Sequence, residues 1–89
     1  MRTPNYAKQF DRDVKRMRKR GKDLDKLKLA LALLIAEEPL EHRYFDHTLS
    51  GNYKNRRECH LESDWLLIYK LTGNDIFFER TGSHADLFK

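Results

Sequence analysis

Three histidines and one aspartate carry chemistry that a small fold does not need for its own sake. His47, His60 and His84 each fall at the end of an expected strand or in a turn, and Asp64 sits in another turn beside Trp65. The fourth histidine, His42, lies in a polar connector and reads as solvated. Three chemistries are open to such a set. Three imidazoles and a carboxylate have the ligand types that suit zinc, although no tight His-x3-His pair is present on one helix. The same groups suit metal-independent RNA cleavage. That reaction needs a base for the 2′-hydroxyl proton, an acid for the leaving 5′-oxygen and positive charge at the phosphorane. Arg56 or Arg80 has the charge for the last task, and Trp65 and Phe88 have the ring faces on which unpaired bases stack. The third possibility is a non-enzymatic binding module in which the histidines are incidental.

The elements that must position these groups can be read from the apolar pattern. Trp65 to Leu71 is almost wholly apolar, as in a strand buried on both faces. Before it, Arg56, Glu58 and His60 alternate with Arg57, Cys59 and Leu61, the two-residue period of a strand with two different faces. Glu62-Ser63-Asp64 supplies a tight turn, so a central hairpin carries His60, Asp64 and Trp65 close together. Strand two is expected from Tyr53 to Leu61 and strand three from Trp65 to Thr72. Gly73-Asn74 forms a two-residue turn into strand four, Asp75 to Thr81, where Ile76, Phe78 and Arg80 are expected on one face. Gly82-Ser83-His84 then turns the chain out into a short tail. Ser50-Gly51-Asn52 marks another turn, and Tyr44-Phe45 is expected to open a short strand.

Upstream, Tyr6, Phe10, Val14 and Met17 recur at helical spacing, which predicts a helix from about residue 5 to residue 20. Gly21 ends it, Asp23 caps the next helix and Asp25 suits its positive first turn. That helix runs from Leu24 to about Glu37, with Leu24, Leu27, Leu31, Leu34 and Ile35 as its main stripe and Pro39 beyond it. Residues 2–5 are expected to form a brief edge strand. The order predicts an α+β domain spanning residues 1–89, a helical hairpin on one face of a mostly antiparallel sheet.

Charge is distributed unevenly along the 89 residues. Residues 1–30 hold 11 Lys/Arg against 4 Asp/Glu, whereas residues 31–89 hold 7 against 10. The run Lys15, Arg16, Arg18, Lys19, Arg20 and Lys22 repels itself unless a polyanion faces it, which favours nucleic acid as a partner; an acidic protein would also neutralise it. One cysteine, Cys59, excludes an intramolecular disulfide framework and fits a reducing cytoplasm. It reads as a small core residue. No apolar run approaches a membrane span, and the N-terminus opens into a charged helix instead of a signal core.

Three segments in order carry a family resemblance: His47-Thr48-Leu49-Ser50-Gly51, His60 to Tyr69, and Phe78 to Phe88, joined by the Tyr6–Lys15 and Lys26–Ile35 helices. Together they resemble the YafQ toxins of the RelE/ParE superfamily of bacterial type II toxin–antitoxin systems. The resemblance implies a RelE-like fold and a ribosome-dependent endoribonuclease that cuts mRNA in the decoding site without a metal or other cofactor. It also implies a small antitoxin encoded alongside, a ribosomal partner and a cytoplasmic location. The family's catalytic set falls on His47, His60, Asp64 and His84, with Trp65 and Phe88 as supporting aromatics. Thr48 and Ser63 stand where the family commonly has proline. ParE-like gyrase poisons of the same superfamily lack this histidine set, and they are the alternative in the binding-module class. The expected division of labour gives the 2′-hydroxyl side to His60, with Asp64 and His47 nearby, and the leaving group or phosphate to His84. Arg56 and Arg80 are expected at the phosphate, and the basic run from Lys15 to Lys22 on ribosomal RNA.

Overall fold

The computed structural model describes residues 1–88. Strand β1 (Thr3–Tyr6) leads into helices α1 (Lys8–Lys19) and α2 (Leu24–Ile35). Strands β2 (His47–Thr48), β3 (Arg57–Glu62), β4 (Trp65–Thr72) and β5 (Asp75–Gly82) follow, and a one-turn helix, α3 (His84–Leu87), closes the described chain. The five strands form one sheet in the order β1-β5-β4-β3-β2. Three pairings are antiparallel, and β1 lies parallel to β5. This is the expected α+β architecture, with the edge strand parallel to the last strand in the sequence. Among the described residues, no helix is long and apolar enough to cross a membrane.

Local chemistry explains most element boundaries. Gly21 takes φ +81°, and the Lys22 N–H reaches back to the Met17 carbonyl, closing α1 as a left-handed cap does. The Asp23 side chain accepts from the Asp25 N–H at the start of α2. The first helix begins at Lys8 and not near residue 5. The backbone from Thr3 onward is instead taken by β5: Thr3 N–H donates to the Asn74 carbonyl and Ala7 N–H to the Phe78 carbonyl. Tyr6 keeps its apolar role from the strand, stacking on Phe78 at 5.4 Å. Helix α2 stops at Ile35, short of Glu37, which adopts φ 61°. The strand expected at Tyr44-Phe45 is a 3-10 turn over His42–Tyr44, followed by Phe45 at φ 45°. The strand expected from Tyr53 begins only at Arg57, because Gly51–Tyr53 is another 3-10 turn.

The sheet separates two apolar clusters. On one face, Phe10, Met17, Leu27, Ala30 and Leu34 from the helices meet Cys59, Leu61, Trp65, Leu67, Tyr69, Ile76 and Phe78. On the other, Leu66, Ile68 and Leu87 pack with Leu49 and Tyr53. Strand β4 is therefore buried on both faces from Trp65 to Tyr69, each large side chain there contributing about 1.5–3 kcal/mol by burial. Pairing between β4 and β5 slips by one residue, so that Ile68 faces Arg80 while Tyr69 faces Phe78. Glu79 is the extra residue of this bulge. The bulge turns Arg80 away from the face of Ile76 and Phe78, where strict alternation would have put it.

Candidate active site

Two cross-strand rows on the face away from α1 and α2 assemble the site. Antiparallel partners project to the same side, so His47 of β2, Glu58 of β3, Ile68 of β4 and Arg80 of β5 form one row. His60, Leu66 and Gly82 form the next. Immediately beyond Gly82, Ser83 caps α3 and places His84 at its first position. Leu66, Ile68 and Leu87 make an apolar floor beneath these polar groups.

The imidazoles run in a line. Ring centroids of His47 and His60 are 6.1 Å apart, and those of His60 and His84 are 5.9 Å apart. Aromatic side chains stand at both ends: Phe45 lies 4.6 Å from His47, and Phe88 lies 6.2 Å from His84. Phe45 is 63% exposed and Phe88 42%, so both offer ring surface to a ligand. Asp64 comes to His84 from the β3–β4 turn. Its Oδ1 accepts from the His84 main-chain N–H at 2.8 Å and lies 2.6 Å from the His84 Nδ1. These contacts, the backbone one first, hold the Asp64 carboxyl below the usual carboxylate range.

Glu58 is the member that the sequence reading did not single out. It is buried, and one oxygen, Oε2, lies 3.0 Å from His60 Nε2 and 3.2 Å from His47 Nε2. The Nδ1 of His47 lies 2.7 Å from the Phe45 carbonyl oxygen. His47 therefore has an acceptor at each ring nitrogen. The available signal was the alternation that put Glu58 beside His60 on one strand face.

Helix α3 is short and needs external support. The Ser83 side chain accepts from the Asp86 N–H, and Asp86 accepts from the Ser83 N–H, a reciprocal capping box. Arg20 of α1 grips the same carboxylate with two nitrogens, at 2.6 and 3.0 Å. Its guanidinium is the main reason that the Asp86 carboxyl is driven far below its ordinary value. Gly82 makes the close approach possible: a Cβ there would stand 2.9 Å from Asp86 Oδ2.

The structure distributes the remaining expected site residues differently. His47, His60, Asp64 and His84 share one face, and Phe88 joins them. Trp65 does not. It is fully buried in the helix-side cluster and donates from Nε1 to Thr81 Oγ1 at 2.9 Å. Its apolar surface is used by the core, so it cannot stack on a base. Arg56 is paired with Glu79 at 2.6 Å, and Arg80 with the buried Asp13 at 2.7 Å. The basic run also divides. Arg16 pairs with Asp13, Arg20 with Asp86 and Lys22 with Glu62. Lys15, Arg18 and Lys19 are exposed and take part in no ion pair among the described residues.

Comparison with known proteins gives the fold a lineage. The sequence model of a family described as a bacterial toxin of type II toxin–antitoxin systems, YafQ, matches residues 2–89. The mRNA interferase toxin YafQ of Escherichia coli strain K12 is 51% identical over 84 residues, covering 93% of this chain and 91% of the relative. The toxin in the crystal structure of the E. coli DinJ–YafQ complex superposes with a TM-score of 0.93 at 49% identity, covering 100% of both chains. A metal-bound toxin from Helicobacter pylori superposes with a TM-score of 0.91 at 43% identity, covering 99% of this chain and 100% of the other.

Proposed function

Since the chain belongs to the YafQ family of type II toxin–antitoxin toxins, we propose that it is an endoribonuclease that cleaves mRNA on the ribosome and is neutralised by a cognate antitoxin. The carrying observation is the line of three imidazoles with Asp64 behind the last of them. In-line attack by a 2′-hydroxyl needs a base and an acid on opposite sides of the phosphorus, each within hydrogen-bond reach of its proton. His60 and His84, with ring centroids 5.9 Å apart, supply two such groups side by side on one face.

Asp64 accepts at the Nδ1 side of His84, which turns Nε2 toward solvent and substrate. His84 is the general acid for the leaving 5′-oxygen in this scheme. Glu58 faces His60 Nε2, leaving Nδ1 for the 2′-hydroxyl, so His60 is the base. His47, with acceptors at both nitrogens, positions His60 and Glu58 and does not take the proton itself. This assignment moves Asp64 from the base to the acid. Arg80, in the same row as Glu58, is assigned to the phosphate, and the exposed Phe45 and Phe88 to flanking bases. The exposed Lys15, Arg18 and Lys19 are assigned to ribosomal RNA.

Induction in bacteria tests the proposal: the wild-type chain should arrest translation and create new mRNA 5′ ends within codons. His84→Ala should abolish both, with rates falling about 10²- to 10⁴-fold. Wild-type induction that leaves transcripts intact contradicts the reading, and arrest that survives His84→Ala favours the non-enzymatic class.

A second reading rests on a separate observation. Ligand atoms of His47, Glu58 and His60 all lie within 4.8 Å of one another, a donor set that suits zinc or copper, and the H. pylori relative is metal-bound. His47, Glu58 and His60 would hold such a cation, which would take up the Glu58 carboxylate that supports His60 as the base. The metal is therefore inhibitory under this scheme: chelator-treated protein should cleave at full rate, and zinc titration should suppress cleavage in the wild type more strongly than in Glu58→Gln.

A further inference from the structure

Asp13 is a carboxylate with 0% exposure in the middle of the most basic helix, and the scheme above gives it no task. Its environment is specific. Oδ2 accepts from Arg80 Nε at 2.7 Å and from the Thr81 main-chain N–H at 3.1 Å. Oδ1 accepts from Arg16 at 2.9 Å and Gln9 at 3.1 Å, with the second Arg80 contact at 3.4 Å. The Thr81 N–H lies beyond the reach of β1, which pairs with β5 only as far as Phe78. Asp13 thus closes the open end of the sheet edge and grips the residue next to it. A buried charge in such a place is costly unless paired, and it is paired here mainly with Arg80.

We infer that Asp13 is a positioning residue that holds the Arg80 guanidinium ready for the scissile phosphate. The inference rests on the proposed nuclease activity and on the assignment of Arg80 within it. Asp13 engages Nε and one NH2 hydrogen of the guanidinium, and the remaining donors of that planar group have Tyr53 as a neighbour. They adjoin a groove of about 610 Å³ lined also by Tyr53 and Phe77, and Tyr53 packs on Phe88 at 5.4 Å beside His84. A long side chain otherwise loses conformational entropy each time it meets a phosphate. Asp13 removes that loss before substrate arrives, so its effect should appear in kcat more than in KM.

A mutant cycle on the full chain, assayed with mRNA-programmed ribosomes, tests this. Arg80→Ala should impair cleavage, and Asp13→Asn should lower kcat about 10- to 100-fold with KM within about twofold. The double variant should be no slower than Arg80→Ala alone. Losses that multiply in the double variant, or an Asp13→Asn protein with wild-type kcat, overturn the inference while leaving the nuclease assignment in place. Full activity in Arg80→Ala removes the premise instead. Because Asp13→Asn can also weaken folding, a second measurement uses guanidinium ion at non-denaturing concentration. It should restore activity to Arg80→Ala, where Asp13 remains to bind it, and fail to do so in the double variant; equal rescue of both contradicts the role.

Discussion

Replacing Trp65 by Phe separates a core tryptophan from a base-stacking one. The indole has 0% exposure, and its Nε1–H bonds to Thr81 Oγ1 at 2.9 Å while that hydroxyl donates to the Leu66 carbonyl at 2.7 Å. Phenylalanine deletes the donor and the outer ring volume. The unpaired acceptor at Thr81 costs about 1–2 kcal/mol, and the partly collapsed space adds about 1–2 kcal/mol. The total of about 3 kcal/mol should lower Tm by roughly 12–24 °C in a domain of this size. Circular dichroism melts measure the shift. Cleavage on programmed ribosomes, assayed well below the lowered Tm, should keep KM and kcat within about threefold. A variant that melts within about 2 °C of wild type yet loses cleavage would refute the reasoning and return Trp65 to the substrate.

Other outcomes follow from the same geometry. Asp64→Ala removes the acceptor behind His84, so cleavage should fall roughly tenfold or more, while Tm moves little because both side chains are more than half exposed. The depressed Asp86 carboxyl stabilises the fold above the unfolded-state pKa of about 3.9, and that stability is lost as pH falls toward the folded value. Melts between pH 2.5 and pH 6 should therefore show a steeper acid limb for the wild type than for Asp86→Asn. Cys59 is fully buried, and burial, with Asp46 and Glu58 nearby, pushes its thiol up. Native protein should resist alkylation that proceeds readily in denaturant, as mass spectrometry would report.

Much of this fold was legible in the chain because its signals are local. Gly21, Asp23, Gly51 and Gly73 each act within a few residues, and the apolar run of β4 has only one comfortable place in a small sheet. What escaped the reading depends on distant partners. The brief edge strand expected over residues 2–5 is present, but its extension to Tyr6 and its parallel pairing come from β5, and nothing near Tyr6 announces that. The bulge at Glu79 is a one-residue event with no marker such as glycine, yet it decides which face receives Arg80. The site shows the same division. Its histidines and Asp64 were visible as residue types and through the family resemblance. Glu58 looked like one more charge on an alternating strand until β2 brought His47 over it. Asp13 drew no expectation from its place in a basic helix, and only the open edge of β5 makes it a buried hub. Trp65 erred in the opposite direction, since a large aromatic beside a polar turn serves the core here.

The central claim is that imidazoles on one face move protons during attack by the 2′-hydroxyl. The termini of the cleaved RNA test it most directly. Fragments released by chelator-treated protein on programmed ribosomes should carry a 2′,3′-cyclic phosphate on one side and a free 5′-hydroxyl on the other, and neither should form with His60→Ala or His84→Ala. Fragments bearing 5′-phosphates, or cyclic termini produced equally well without those imidazoles, would contradict it.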